Sequence, residues 1–154
     1  MKQPDEEQYY FYRLYSIDFG ATKHTLRVLK RYRRQDVRAS ILRDIVVSYT
    51  RPFSGNRGEN TRNHQLGKRF VPPEFQALHE ELLRLRCEQF AHTDRTYYKP
   101  KAANWSRLGR KWFPMSFRGY DYSKLDAQVS SIERLVAAVE RNLQLEIDAI
   151  ENRF

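Results

Sequence analysis

Apolar positions recur at three- and four-residue steps in four stretches of the chain, which is the period of amphipathic α-helices. The last stretch is the clearest, because eight aliphatic residues keep this spacing: Leu125, Val129, Ile132, Val136, Val139, Leu143, Ile147 and Ile150. Ser123 followed by Asp126 resembles a capping box and predicts where this helix starts. At 1.5 Å per residue the helix would be about 40 Å long, enough to form one wall of a bundle and to meet a partner.

Three earlier helices are predicted by the same pattern. The first has an apolar stripe that includes Tyr10, Leu14, Ile17, Ala21 and Val28. It ends in the basic run 30–34, which could complement the helix dipole or contact RNA. The second covers about residues 37–50, carries Ile41, Leu42, Ile45, Val46 and Tyr49, and is ended by Pro52. The third begins at Pro72 or Pro73 and carries Phe75, Leu78, Leu82 and Leu85.

The helical period is lost for about thirty residues between the third and the last helix. Gly109, Gly119, Pro100 and Pro114 indicate turns in this insertion. Its aromatic residues argue against full disorder and allow a short β-hairpin around residues 105–117. We therefore predict an all-α fold: a single domain over residues 1–154, built as a four-helix, mostly antiparallel, up-and-down bundle with a long basic aromatic insertion before the last helix.

Composition limits the class of protein. With 154 residues, of which 40% are hydrophobic, one core is the economical solution. The opening Met-Lys-Gln-Pro-Asp-Glu-Glu lacks the apolar stretch of a secretory signal, and no run approaches the roughly 20 apolar residues of a membrane span. We expect a cytoplasmic protein with no membrane partner. Cys87 is the sole cysteine, which excludes an internal disulfide and a multi-cysteine zinc site; neither a metal nor a cofactor is expected.

The net charge of +9 is concentrated in the insertion. Residues 95–120 contain seven basic residues and no acidic one, interleaved with seven aromatic rings. Basic side chains supply a phosphate-binding term and exposed rings can stack bases. The predicted nucleic-acid contacts are Arg95, Lys99, Lys101, Arg107, Arg110 and Lys111, together with Trp105 and Trp112. The alternative is a basic surface loop whose aromatic rings pack onto the helices beneath.

A second basic region, residues 51–69, is a loop by composition. Its Gly67-Lys68 pair is followed by Arg69 instead of the Ser or Thr of a phosphate-binding loop, which excludes a nucleoside-triphosphate site of that kind. Arg51 is a further candidate for nucleic-acid binding, although it could equally bond the last carbonyls of the second helix. His64 and His79 lack a metal-ligand pattern and are expected at the surface or at the edge of the core.

Arg86 and His92 lie near the end of the third helix. A guanidinium can fork onto a phosphate, and an imidazole can move the proton of a ribose 2'-hydroxyl, so this pair suffices for RNA cleavage without metal. If the helix persisted, His92 would lie roughly 120° around the axis from Arg86 and about 9 Å along it. Two structural alternatives stay open: Arg86 could pair with Glu81, Glu88 or a carboxylate of a neighbouring helix, and His92 could cap the helix end or lie at the surface.

The run 85–94, Leu-Arg-Cys-Glu-Gln-Phe-Ala-His-Thr-Asp, resembles the Arg-x(4–6)-His signature of HEPN domains, the "higher eukaryotes and prokaryotes nucleotide-binding" helical bundles. Upstream, the run 48–53, Ser-Tyr-Thr-Arg-Pro-Phe, and the run 78–80, Leu-His-Glu, are similar to uncharacterised bacterial members akin to abortive-infection proteins. The resemblance covers about residues 8–150, and the short signature is its diagnostic part.

This resemblance implies a metal-independent endoribonuclease, often a toxin or phage-defence effector, formed when two bundles pair and bring two signatures into one cleft. Carried onto this chain, His92 is the general acid or base and Arg86 orients the phosphate. Expected partners are RNA, a second copy of the chain, and an antitoxin or regulatory protein.

The chain departs from the family pattern at two positions. Cys87 stands where members commonly have Asn, Asp or His, and Asp94 stands where adenylylated members have tyrosine. The alternative functions are therefore a non-catalytic nucleic-acid- or nucleotide-binding module and a helical scaffold whose last helix pairs with another protein.

Overall fold

The computed structural model describes residues 3–59, 63–90, 98–107 and 110–153, without the side chains of residues 3–5, 105 and 107. Within this part the chain is mostly helical, as predicted. The α-helices are α1 (Gln3–Leu29), α2 (Gln35–Thr50), α3 (Gln76–Leu85), the short α4 (Tyr122–Ala127) and α5 (Val129–Glu151). Single turns of 3₁₀ helix lie at Arg51–Phe53, Lys68–Phe70 and Pro73–Phe75, and a π-helical turn lies at Arg86–Phe90.

The core lies between the long helices. α1 packs against α2 and α5, and α2 also packs against α3 and α4. The apolar stripe predicted for the last helix is confirmed, because Leu125, Ile132, Val136, Val139, Leu143, Ile147 and Ile150 are all buried. Each such side chain contributes about 1.5–3 kcal/mol when it is fully removed from water. Among the described helices, none has the length and apolar character that a membrane crossing needs.

The apolar stripe predicted for α1 is on the solvent side of the helix. Tyr10, Leu14 and Ile17 are 54%, 53% and 67% exposed. The core side of α1 is formed by another set of residues: Tyr12, Tyr15, Phe19, Leu26 and Leu29. α1 thus has two apolar stripes, and the pattern alone could not decide between them because the buried stripe includes two tyrosines, which a hydropathy pattern scores as weakly apolar.

The start of the last helix also differs from the prediction. The N-cap is Asp121, whose Oδ1 accepts hydrogen bonds from the backbone N–H and the hydroxyl of Ser123 at 3.1 and 2.6 Å. The helical segment is interrupted at Gln128, so α4 and α5 are separate elements. The predicted capping box is therefore wrong, because Asp126 is used elsewhere.

Asp126 forms an ion pair with Arg38 of α2. The Arg38 guanidinium donates to both carboxylate oxygens, and the Nε–Oδ2 distance is 3.0 Å. Its Nη1 also donates to the carbonyls of Leu29 and Tyr32, at 3.0 and 2.7 Å, at the end of α1. The hydrogen bonds to Asp126 raise the pKa of Arg38 further above its already high value. One side chain therefore joins α1, α2 and α4.

The loop after α2 is held against the start of α1 by a buried histidine. His64 is 5% exposed, its ring stacks on Phe11 at a centroid distance of 4.1 Å, and its Nε2 lies 3.1 Å from Oε2 of Glu7 without hydrogen-bond alignment. Gly58 approaches so closely that a Cβ would lie 2.4 Å from Oε1 of Glu7. His64 is therefore not at the surface but buried at the edge of the core, which is one of the two places expected for it.

The predicted hairpin is present in the insertion. β1 (Lys101–Ala102) pairs with β4 (Met115–Ser116), and β2 (Trp105–Arg107) pairs with β3 (Arg110–Trp112), both antiparallel. The register is the same in both pairs, and the Ala103 N–H donates to the Pro114 carbonyl at 2.9 Å between them. The four short strands therefore form one interrupted two-stranded ribbon.

His79 of α3 lies in the core, which corrects its expected place at the surface or the core edge. It is 1% exposed, its Nδ1 is 2.8 Å from the Tyr49 hydroxyl, and its ring packs edge-on against Phe53 at 4.4 Å. Burial, assisted by the charge of Lys68, lowers the pKa of His79 to about 4. The imidazole is therefore neutral in the folded protein at neutral pH.

The buried His79 predicts acid-sensitive stability. Its pKa is about 4 in the folded state and about 6.5 in the unfolded chain. The unfolded state therefore binds the extra proton between these values, and stability falls as the pH is lowered through this window, by roughly 3 kcal/mol in total. Urea unfolding of the wild type and His79→Gln at a series of pH values measures this difference. An equal pH dependence of both proteins between these two pKa values would contradict it.

Candidate functional site

The third helix changes its winding at Arg86. The Arg86 N–H donates to the carbonyls of both Leu82 and Leu83, and the five residues Arg86–Phe90 form a π turn. Such turns are rare and occur often at functional sites, because the widened turn frees backbone and side-chain groups from regular packing. The α-helical spacing that related Arg86 to His92 does not hold across this turn, and His92 lies outside the described residues.

Arg86 has a half-buried side chain, and none of the described carboxylates forms an ion pair with it. Its Nε is buried, and within the described part of the chain it has no hydrogen-bond partner. The predicted pairing with Glu81 is not formed, because Glu81 Oε2 accepts a hydrogen bond from Gln128 Nε2 at 3.2 Å. No ion pair joins Arg86 to Glu88 among the described side chains either. A buried unpaired polar group costs about 1–3 kcal/mol, so the Nε–H group of Arg86 lowers the stability of the free protein.

Gln89 lies on the same π turn. Its side chain is 8% exposed, and its Nε2 is a second buried donor without a partner in the described structure. Its backbone carbonyl accepts a hydrogen bond from the Tyr98 hydroxyl at 3.3 Å. The turn therefore holds two unmatched donors and is tied to the start of the insertion.

An aromatic cluster packs the base of the hairpin, which we call the root, against the π turn. Phe90 stacks on Tyr122 at 6.0 Å and meets Tyr120 edge-on at 5.8 Å, while Tyr120 and Tyr122 are 5.1 Å apart. On the other side of the root, the Arg118 N–H donates to the Tyr98 carbonyl at 2.8 Å. The base of the hairpin and the turn that carries Arg86 consequently form one packed unit.

Arg43 of α2 adds a positive charge at this unit. The π turn packs against α2. Burial raises the pKa of Tyr122, and the nearby charge of Arg43 opposes part of that rise. Arg43 itself is exposed, and none of the described side chains forms an ion pair with it. It is thus available to an anion that approaches the π turn.

The body of the hairpin lies open to solvent. Every described side chain from residue 101 to residue 119 is exposed. The exposed rings and thioether include Trp112 (45%), Phe113 (65%), Met115 (62%) and Phe117 (63%). The basic candidates Lys99, Lys101, Arg110 and Lys111 are exposed as well. The aromatic residues thus divide into packed ones at the root and exposed ones beyond it. Packing onto the helices is confirmed for the rings at the root, and nucleic-acid contact by the exposed rings stays a prediction.

Lys99 has a left-handed backbone, with φ of 42°, directly before Pro100. Left-handed backbone costs a non-glycine residue about 1–2 kcal/mol. This conformation occurs where the chain turns into the hairpin. It places Lys99, one of the predicted phosphate contacts, at the root.

The remaining predicted site residues lie outside the described residues, are described only as backbone, or have their contacts away from the hairpin. Arg95, like His92, lies outside the described residues, and only the backbone is described for Trp105 and Arg107. Arg51 donates from Nη1 to Asp18 Oδ1 at 2.8 Å, and burial raises the pKa of Asp18 while Arg51 opposes that rise. In the described structure, no ion pair or hydrogen bond joins Arg51 to the hairpin or the π turn.

Several residues of this unit were not predicted from the sequence. Gln89 and Arg43 give no sequence signal, because their role depends on how the π turn meets α2. Tyr98 and Tyr120 belong to the aromatic insertion, but their spacing does not show that they pack while Phe113 and Phe117 stay exposed. The Phe90 ring was predictable as an apolar helix position, though not as the partner of Tyr122.

The family resemblance depends on the sequence signature alone. No family model matches this chain, and no curated protein or solved structure is significantly similar to it. Among the described residues there is no group of three acidic, cysteine or histidine side chains that could hold a metal ion.

Replacement of Arg86 tests whether this side chain contributes to the stability of the fold. We expect Arg86→Met to keep or raise the free energy of unfolding, by about 1 kcal/mol, because it removes a buried donor without a partner. The matched control is Arg38→Met, which should lose about 2–3 kcal/mol because it leaves the Asp126 carboxylate unpaired. Urea unfolding of both variants makes the comparison. A loss for Arg86→Met as large as that for Arg38→Met would show that Arg86 has a structural role.

Proposed function

We propose that this chain is a metal-independent endoribonuclease of the toxin or phage-defence type, acting in the cytoplasm as a homodimer of HEPN-like four-helix bundles. Its substrate is RNA, which the hairpin holds and the Arg86 turn cleaves with His92. The observation that supports this best is the common packing of the two parts, since the aromatic cluster of Phe90, Tyr120 and Tyr122 joins the hairpin root to the π turn.

Support for a nucleic-acid ligand comes from the uncovered hairpin. A two-stranded ribbon with both faces in water is only marginally stable by itself. Here the exposed positions include basic and aromatic residues, and residues 95–120 contain no carboxylate that could neutralise the basic ones. A polyanion with flat bases satisfies both features, because its phosphates meet the cations and its bases stack on the rings.

Single-stranded RNA fits this surface better than duplex RNA. The bases of a duplex are stacked on one another, and the major groove of A-form RNA is too deep and narrow for side chains to read. Exposed rings such as Phe113 and Phe117 gain stacking energy only from bases that are already unpaired. We therefore assign loops and single-stranded segments as the substrate.

The proposed reaction is an internal transesterification. His92 takes the proton of a ribose 2'-hydroxyl, the 2'-oxygen attacks the adjacent phosphorus, and the bond from phosphorus to the 5'-oxygen breaks with that oxygen taking up a proton. Arg86 forks onto the non-bridging oxygens and stabilises the charge of the phosphorane. The products are a 2',3'-cyclic phosphate and a 5'-hydroxyl, and no metal enters the reaction.

In a homodimer the two Arg86 turns would share one cleft, as the family resemblance implies. Each subunit would then supply one histidine and one arginine, so that the proton acceptor and the proton donor can come from different copies. Arg43 and the buried amide of Gln89 lie beside the turn as further donors to a phosphate.

A non-catalytic RNA-binding module is the second candidate. The observation that favours it is Cys87, whose exposed thiol follows Arg86 where the family uses a stronger hydrogen-bonding group. In that case the hairpin and the Arg86 turn hold RNA without cleaving it. The two candidates predict the same binding and different products.

Removal of His92 tests the catalytic proposal. His92→Ala should lower the rate of RNA cleavage by about 10²–10⁴-fold, because it removes the proton shuttle, and should leave RNA binding intact. The control is His24→Ala, which removes an exposed histidine of α1. Cleavage of end-labelled single-stranded RNA in EDTA, with analysis for the cyclic phosphate, gives the rate. Equal cleavage by wild type and His92→Ala would exclude this mechanism, and binding without any product from the wild type would favour the second candidate.

Two hairpin variants test how RNA is held. Lys111→Ala should weaken binding and reduce the salt slope by about one, because one phosphate contact is lost. Phe113→Ala should cost about 1–3 kcal/mol with the salt slope unchanged, because stacking is lost.

The control for these variants is Arg141→Ala, which removes an exposed charge from α5. Fluorescence anisotropy with labelled single-stranded RNA at several salt concentrations measures all three. If the control weakened binding as much as Lys111→Ala, the hairpin would not be the binding surface.

A further inference from the structure

The solvent side of α1 carries an apolar stripe that the core does not use. Tyr10, Leu14, Ile17 and Ala21 are exposed, and Val28 continues the stripe as a half-buried residue. We call these five residues the outer stripe. The described structure covers the opposite side of α1 completely, with Phe19 and Leu29 at 0% exposure. α1 therefore has a second apolar face, which is exposed to solvent.

The spacing of the outer stripe is that of a coiled-coil seam. The steps from Tyr10 to Val28 alternate between four and three residues, with His24 at the one polar position. A seven-residue repeat of this kind keeps a stripe parallel to the axis of a second helix, so that its side chains insert between those of the partner. Over these residues the stripe is about 27 Å long, which fits a helix of similar length.

The charges beside the stripe indicate which helix fits. Arg13 and Arg27 occupy equivalent places fourteen residues apart on one side of it. Arg27 is exposed, and Arg13 is half exposed with Glu151 only at 3.7 Å. On the other side, Asp18 has a side chain only 16% exposed that is bonded to Arg51. The charge beside the stripe that no ion pair compensates among the described residues is therefore the positive charge of Arg27, while the long contact with Glu151 leaves Arg13 open to a closer carboxylate.

A second copy of this chain fits the stripe poorly. Antiparallel pairing of two α1 helices would place Arg13 and Arg27 of one copy against the same arginines of the other. Parallel pairing would direct Arg13 toward Asp18, which is already occupied by Arg51. Charges flanking a seam decide the choice of partner, and here they disfavour self-pairing.

We propose that the outer stripe of α1 is a docking surface for an amphipathic helix of another protein, one with an apolar seam flanked by Asp or Glu. The apolar side chains of that helix pack against Tyr10, Leu14 and Ile17, and its carboxylates meet Arg13 and Arg27. This surface is independent of the RNA site, since α1 packs against α2 and α5 whereas the π turn packs against α2 and α3.

A designed peptide of about three heptads provides the probe. It carries Leu or Ile at the seam and Glu at both flanking positions, and the comparison peptide carries Lys at the flanking positions. Binding to the full-length protein is measured by fluorescence anisotropy. The Glu peptide should bind at least about tenfold more tightly than the Lys peptide, and the difference should shrink at about 1 M salt.

Ile17→Asp should weaken binding of the Glu peptide by about tenfold or more. It replaces a side chain that is 67% exposed, so the fold is kept. The matched control is Leu145→Asp on α5, a leucine with 63% exposure outside the stripe, which should leave binding unchanged. Equal binding of the Glu and Lys peptides, or an Ile17→Asp variant that binds as the wild type does, would overturn the proposal.

Two further measurements test whether the outer stripe instead binds a second copy of the chain or a lipid surface. Sedimentation that shows a dimer converted to monomer by Ile17→Asp would assign the stripe to a second copy and overturn the proposal. Binding to vesicles of phosphatidylcholine and phosphatidylserine that Ile17→Asp abolishes would assign it to a lipid surface, with the same consequence. We expect Ile17→Asp to have no effect in either measurement. Because neither measurement uses RNA, a failure of this proposal can be told apart from a failure of the proposed RNA function.

Discussion

The ion pair between Arg38 and Asp126 fixes the positions of the other parts of the molecule. The side chains are only 19% and 23% exposed, and the same guanidinium also satisfies the carbonyls of Leu29 and Tyr32 at the end of α1. The Arg38 guanidinium cannot rotate without breaking several of these hydrogen bonds at once. It therefore holds α1, α2 and α4 in one arrangement. Because α4 starts at Tyr122 and directly follows the hairpin, this contact also determines where the hairpin leaves the helices.

Buried polar groups are only partly matched, in the helical body as well as at the π turn. In the body, Asp126 is paired with Arg38 and the Nδ1 of His79 with the Tyr49 hydroxyl, but the Nε2 atoms of His64 and His79 have no hydrogen-bond partner in the described structure. At the π turn, Arg86 and Gln89 likewise bury donors without a partner among the described residues. What distinguishes the π turn is that an exposed ribbon with basic and aromatic residues begins beside it, so one RNA strand can reach both, which is the physical basis of the proposed function.

Much of the fold could be predicted from the sequence, and the errors have specific causes. The spacing of the aliphatic residues in α2 and α5 predicted their buried sides, because a single apolar stripe leaves one solution. α1 has two stripes, so Leu14 and Ile17 could not be assigned from the pattern. His79 was misplaced because its burial depends on Tyr49, which is distant along the chain. The candidate site was located by the Arg86 signature and the charge of the insertion, but the π turn and the packing of Tyr122 on Phe90 depend on tertiary contacts that no local pattern contains.

The central claim is that one RNA strand contacts both the hairpin and the Arg86 turn. Photo-crosslinking of the intact protein to a short single-stranded RNA that contains 4-thiouridine, followed by mass spectrometry of the crosslinked peptides, tests it directly. A 2'-O-methyl group on every ribose prevents cleavage during the experiment, because it blocks the attacking 2'-oxygen. Crosslinks should occur on the hairpin around Phe113 and at the root around Phe90 and Tyr122. Crosslinks confined to α1 and α5, with none on the hairpin or its root, would contradict the proposed RNA site.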